Sequence, residues 1–159
     1  MMKRLRQSGP IGCIAFAVYR FGHRVYGMNF PIIKKVLWII YMLLDVVFVK
    51  AIANAELPAD SKIDPSVIFV HGANGCIIGG GGATIGENTV VYHQTTIGVI
   101  NGDRKGPTIG NNVFIGCGAK ILGPVIIGDN AKIGAGSVVL CDVPTGATAV
   151  GVPARIIRK

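Results

Sequence analysis

From Ile85 onward a branched residue returns every six positions: Ile85, Val91, Ile97, Ile109, Ile115, Ile121, Ile127, Ile133, Val139 and Thr145 hold this register, and nine of the ten are Ile or Val. Four places after a register residue come Thr89, Thr95, Val113, Ala119, Val125, Ala131, Ser137, Val143 and Ala149, all small or β-branched. An amphipathic helix repeats near 3.6 residues and a simple strand near 2, so a sustained six fits neither. It fits an all-β solenoid, the parallel β-helix. Each unit is then one flat face with its corner, three faces make a coil of about eighteen residues, and the branched residues stack inside from coil to coil. Gly follows the register residue at 86, 98, 110, 116, 128, 134 and 146, which reads as a backbone corner.

Ile63 with Val67 and Phe69 with Ala73 extend the pattern backward. Sixteen positions separate Phe69 from Ile85, not a multiple of six, and the slip is assigned to Gly79-Gly80-Gly81-Gly82. Residues 99–107 fit no unit and are expected to loop away from the coil, where function on a rigid scaffold tends to sit. The general rule for parallel crossovers favours a right-handed path.

Gly accounts for 23 of 159 residues, yet no Gly-X-Y triplet recurs, so a collagen helix is excluded. With 50% hydrophobic and only 15% charged residues the chain builds a core and is not a disordered tail. Cys13, Cys76, Cys117 and Cys141 are far apart and form no CxxC pair, which argues against a disulfide framework and for a reducing, cytoplasmic compartment. His71 and His93 are too few for a three-histidine zinc site, so no metal is expected.

Residues 1–55 hold eight basic residues against Asp45 alone, a surplus of seven, while residues 56–159 hold eight basic and seven acidic. The chain is therefore read as a short basic helical arm, 1–55, on a near-neutral β-helical domain, 56–159. That domain lacks the interleaved basic and aromatic residues of a nucleic-acid groove, so no nucleic acid is expected. An anionic membrane surface is the better match to the arm, as a peripheral contact at the inner face of the membrane. Pro10, Gly12 and Arg20 leave too short an apolar stretch for a secretory signal. The run 36–53 has the length of a short membrane span, but Asp45 and Lys50 bring its insertion free energy to about zero. Two helices are expected, about 11–27 and 32–54 with Pro31 opening the second, packed on each other, on a neighbouring subunit or on a membrane.

Several segments of residues 56–157 belong together: His71-Gly72-Ala73-Asn74-Gly75, Thr95-Thr96-Ile97-Gly98, Gly102-Asp103-Arg104, the runs 116–123 and 134–139, and the ending Gly151-Val152-Pro153-Ala154-Arg155. With them the chain resembles the serine acetyltransferase family and its relatives that acetylate surface sugars. The resemblance implies a left-handed parallel β-helix of hexapeptide repeats, a homotrimer with its active site between neighbouring subunits, and acetyl-CoA as the donor.

Acetyl transfer from a thioester to a hydroxyl needs a base within hydrogen-bond reach of that hydroxyl, and His71 is the candidate. The family places an acidic residue fifteen positions before this His, which here is Glu56, so the resemblance implies a Glu56–His71 dyad in which the carboxylate orients the imidazole. Direct transfer is expected, with a backbone N–H steadying the oxyanion. Cys117 stands where the family has Ala beside the pantetheine arm. It is read, with Gly98 and Ala135, as lining the CoA channel rather than as a nucleophile, and Lys120 and Lys132 are available to the CoA phosphates. His93 is expected to point outward, and His23 to be structural. Arg104 is the candidate acceptor contact.

Serine-specific members carry Asp immediately before the catalytic His and His directly after the loop Arg, where this chain has Val70 and Lys105. An ammonium group would lack its carboxylate partner. That favours a sugar hydroxyl of a surface polysaccharide or its precursor as acceptor over serine, with a non-catalytic trimeric scaffold as the third reading.

Overall fold

The computed structural model describes residues 2–79, 82–100 and 105–157, the side chains of residues 2–7 excepted. The repeat winds into a three-sided solenoid. One side is Lys62–Ile63, Thr84–Ile85, Thr108–Ile109 and Ile126–Ile127. The second is Ile68–Phe69, Val90–Val91, Phe114–Ile115, Lys132–Ile133 and Thr148–Gly151. The third is Ile77–Ile78, Thr96–Gly98, Lys120–Leu122 and Val138–Val139. All of these pair in parallel, and Ala154–Ile157 closes the second side antiparallel to Thr148–Gly151.

Because successive side chains of a strand point to opposite faces, the second residue of each rung turns inward. Ile63, Ile85, Ile109 and Ile127 form one internal column, Phe69, Val91, Ile115 and Ile133 another, and Ile78, Ile97, Ile121 and Val139 the third, all buried. The residues four places further on, from Thr89 to Ala149, are buried as well. Thr145 departs from the expected register and is exposed. Val143 pairs with Ile127 in its place, and Ala149 stacks on Ile133.

The corners work differently from the sequence expectation. The left-handed residue of each turn is not the Gly after the register position but the residue two places later: Asn88, Gln94, Asn112, Gly118, Asn130 and Gly136 have φ between 54° and 67°. Gly116 is needed for another reason. A Cβ there would lie 2.6 Å from the Ala135 nitrogen on the next coil, so only Gly admits the coil-to-coil approach. The register slip also moves. Nine positions separate Phe69 from inward-facing Ile78, and seven separate Ile78 from Ile85, so three of the four additional residues lie in the turn that carries His71 and only one in the glycine run.

The arm is α1 (Met2–Tyr26), kinked at Gly9 (φ 66°), and α2 (Pro31–Leu44), which opens at Pro31 and continues as a π-helical stretch, Asp45–Ile52. In π-helix, residues five apart share a face, and Lys50 accordingly reaches Asp45 at 3.4 Å. The arm caps the first coil. The Tyr19 hydroxyl donates to the Ser61 carbonyl (2.7 Å) and accepts from the Ile63 N–H (3.0 Å), His23 Nδ1 lies 2.7 Å from the Ala59 carbonyl, and Phe16 packs on Phe69.

Tyr19→Phe strands two buried backbone groups and should cost about 1–3 kcal/mol in urea unfolding. Burial, followed by the Asp45 and Asp60 charges, pushes the Tyr41 hydroxyl up to about 12, and burial pushes the Cys76 thiol up to about 11. Both groups hold their protons to higher pH when folded than when unfolded. Their contribution is therefore intact below their ordinary values of 9.0 and 10.0 and is lost as pH rises towards 12. The urea midpoint should fall across that range, and less steeply in a Tyr41→Phe, Cys76→Ala protein.

Candidate active site

His71 sits in a single irregular turn, Val70–Ala73, between the second and third sides of the first coil. His71, Gly72 and Ala73 all adopt left-handed backbone, with φ of 59°, 78° and 64°. For His and Ala this costs roughly 1–2 kcal/mol each, so the surroundings must enforce it. They do: α1 presses on the turn so closely that a Cβ on Gly12 would fall 2.7 Å from the Gly72 Cα. The imidazole is exposed and lines a cleft of about 330 Å³ with Ser8, Pro10, Ile52 and Asn74.

The turns of later coils stack on this one. The Gln94 N–H donates to the Asn74 carbonyl (2.8 Å), the Gly118 N–H to the His93 carbonyl (3.0 Å) and the Gly136 N–H to the Cys117 carbonyl (2.8 Å). His93, Cys117 and Ala135, each two places after an inward residue, therefore form one column along the edge between the second and third sides, and the His71 turn is its foot. The His71 and His93 rings meet nearly perpendicular with centroids 5.1 Å apart. The Tyr92 ring is 6.3 Å from His71 and 5.3 Å from Phe114. The His93 turn is fixed by the Thr95 hydroxyl and the Cys76 thiol, which both donate to the Tyr92 carbonyl at 2.7 and 3.3 Å. His93 Nδ1 is buried without a hydrogen-bond partner.

Lys120 and Lys132 flank this edge from the third and second sides. Gly98 does not share it: it ends the strand Thr96–Gly98 at the next edge, paired with Leu122. Arg104 lies outside the described residues. Glu56 bridges Ile77 through its backbone and extends the third side, with its exposed side chain lining a separate cavity of about 570 Å³ beside Trp38, Tyr41, Asp45 and Asp60. Among the described residues no hydrogen bond or ion pair joins Glu56 to His71. His93, which sequence reasoning set aside, is the side chain placed against His71, and its signal was its corner position, shared with Cys117 and Ala135. Among the described residues no three His, Cys, Asp or Glu side chains are grouped to hold a metal ion.

An exposed imidazole at the foot of an edge that carries His93 and then the small residues Cys117 and Ala135, flanked by two lysines, suits transfer of a group from an extended, phosphate-bearing donor. The fold and this edge define a hexapeptide-repeat transferase. A family model described as "Bacterial transferase hexapeptide (six repeats)" matches residues 106–141. Serine acetyltransferase of Helicobacter pylori is 36% identical over 151 residues, covering 93% of this chain and 82% of the relative. Among solved structures, soybean serine acetyltransferase complexed with serine matches with a TM-score of 0.79 at 34% identity, over 94% of this chain and 58% of that one. A serine acetyltransferase in complex with CoA matches with a TM-score of 0.72 at 34% identity, over 90% and 55%. The chain spans little more than half the length of those two solved proteins. It belongs to the serine acetyltransferase family, acyltransferases that use acetyl-CoA. Its coil is the left-handed β-helix of that family, against the general right-handed rule for crossovers.

Burial of the Cys76 thiol and its raised pKa keep it protonated and enclosed. Alkylation with iodoacetamide at about pH 8, mapped by mass spectrometry, should modify exposed Cys141 and leave Cys76 unmodified until the protein is unfolded.

Proposed function

We propose that the chain moves the acetyl group of acetyl-CoA to a hydroxyl acceptor with His71 as general base. The observation that carries this reading is the exposed imidazole of His71, held in a strained turn at the foot of the His93, Cys117 and Ala135 column. The pantetheine arm lies along the small residues of that edge, its phosphates within reach of Lys120 and Lys132. His71 takes the acceptor proton, the alkoxide oxygen bonds to the thioester carbonyl carbon, and the C–S bond breaks as the tetrahedral oxyanion collapses. The imidazolium then returns the proton to the departing thiolate. The His93 ring stands beside that of His71, at the foot of the same edge. Glu56 orients His71 once its side chain turns from its own cavity toward the ring.

L-Serine is the acceptor best supported, because the relatives that match over most of this chain are serine acetyltransferases. A second reading, a sugar hydroxyl of a surface polysaccharide or its precursor, is favoured by Val70 before the catalytic His, which leaves an ammonium group without its carboxylate partner, and by Lys105 after Arg104 in place of His. In either case the working form is a cytoplasmic homotrimer with the reacting edge at the seam between copies, Arg104 on the acceptor, and the outward side of the arm 1–55 turned to a membrane face.

The test is thiol release from acetyl-CoA with serine and a panel of sugars. His71→Ala should lower kcat about 10²–10⁴-fold, and Glu56→Gln should lower it less. Equal rates in wild type and His71→Ala would overturn the base assignment, and no thiol release by wild type with any acceptor would leave the non-catalytic scaffold. The acceptor with the highest kcat/KM decides between amino acid and sugar.

A further inference from the structure

The outward half of α2 and of the π-helical stretch after it is apolar along its whole length. Ile32, Val36, Ile39, Ile40, Leu43 and Val46 recur at helical spacing, and all are exposed, Ile32 at 80%. Phe30 adjoins them at 70% exposure. The helix meets the rest of the protein through its other side, with Tyr41 and Val49 buried and Trp38 and Leu44 packed against the core. A contiguous apolar face of this extent exceeds what single exposed side chains account for and marks an interaction surface.

Asp45 decides what the face can meet. As the single acidic residue of residues 1–55, it is the charge that weighs most against lipid contact by the run 36–53. The structure turns it inward, 8% exposed and 3.4 Å from the Lys50 ammonium, so that cost does not fall on the outward face. The exposed charge of the described arm is then cationic, with Arg24 and Lys35 in solvent. No helix among the described residues is long and apolar enough to cross a membrane.

We infer that α2 and the π-helical stretch lie in the plane of a bilayer surface, the apolar half against the acyl chains and the arm's basic residues on anionic headgroups. A second copy is the poorer occupant. Face-to-face pairing sets one surplus of seven positive charges against another, whereas an anionic bilayer neutralises it. Because α1 contacts both α2 and the His71 turn, docking brings the His71 end of the solenoid beside the membrane. The inference is independent of acetyl transfer: a chain without that activity would bind lipid through the same face.

The full chain is sedimented with sucrose-loaded vesicles of phosphatidylcholine containing about a quarter phosphatidylglycerol, and with pure phosphatidylcholine vesicles. The wild type should pellet with the anionic vesicles, and less so as salt is raised. Ile39→Glu with Leu43→Glu should weaken binding at least about tenfold, and Arg24→Glu with Lys35→Glu several-fold. Ile126→Glu, on the far coil of the solenoid, should bind as wild type. Urea midpoints confirm that each variant is folded. Wild type remaining in the supernatant, or the Ile39→Glu, Leu43→Glu protein binding undiminished, would overturn the inference. So would loss of a larger assembly in that variant without any vesicle binding by wild type, which would assign the face to a second copy.

Discussion

Everything else in the molecule hangs on one contact, repeated: a branched side chain resting on its counterpart one coil away. Ile63, Ile85, Ile109 and Ile127 make one such stack, and two others run beside it. Each coil gains its stability from the coils next to it rather than from a distant partner, so the inward positions keep one pattern while the outer edges are free to vary. The turn with His71 is one of those variations. It inserts three residues at one edge without disturbing the pairing of Phe69 with Val91 before it or of Ile78 with Ile97 after it, both on the next coil.

The coil was legible in the sequence because its cause is local and periodic: a six-residue pattern can only be satisfied by a backbone that returns to the same face every six residues. Where the structure departs from the pattern, the cause is not periodic. Nothing in the spacing distinguishes a Gly needed for left-handed backbone from one needed because the next coil passes 2.6 Å from its missing Cβ, and Gly116 is of the second kind. Four glycines drew the register slip to themselves, yet most of it lies in the turn that α1 forces into left-handed geometry. Thr145 fell out of register because the last coil closes through Val143 and an antiparallel hairpin, which a repeat count cannot foresee.

The candidate site was legible to the same extent. His71, Cys117 and Ala135 come together on one edge because position within the repeat fixes position around the coil. His93 obeys the same arithmetic. Glu56 does not: it precedes the first full coil, and a spacing of fifteen residues carries no information about where a side chain at that junction points. The structure gives its carboxylate a cavity walled by the arm's aromatic residues. Asp45 weighs against lipid contact only when the run 36–53 is read as a span, where every side of the helix meets lipid. It falls on the side of α2 that carries Trp38 and Tyr41, seven and four places before it, so helical spacing turns it inward, and the π-helical stretch brings Lys50 against it.

The meeting of Gly12 with Gly72 joins the amino-terminal arm to the reactive turn with no side chain between them. The two segments thus fit each other only through that crossing. A homologous arm grafted onto this solenoid keeps the geometry of His71 only if it too carries a bare backbone at that crossing, so exchange of arms between relatives is filtered by a single methyl group.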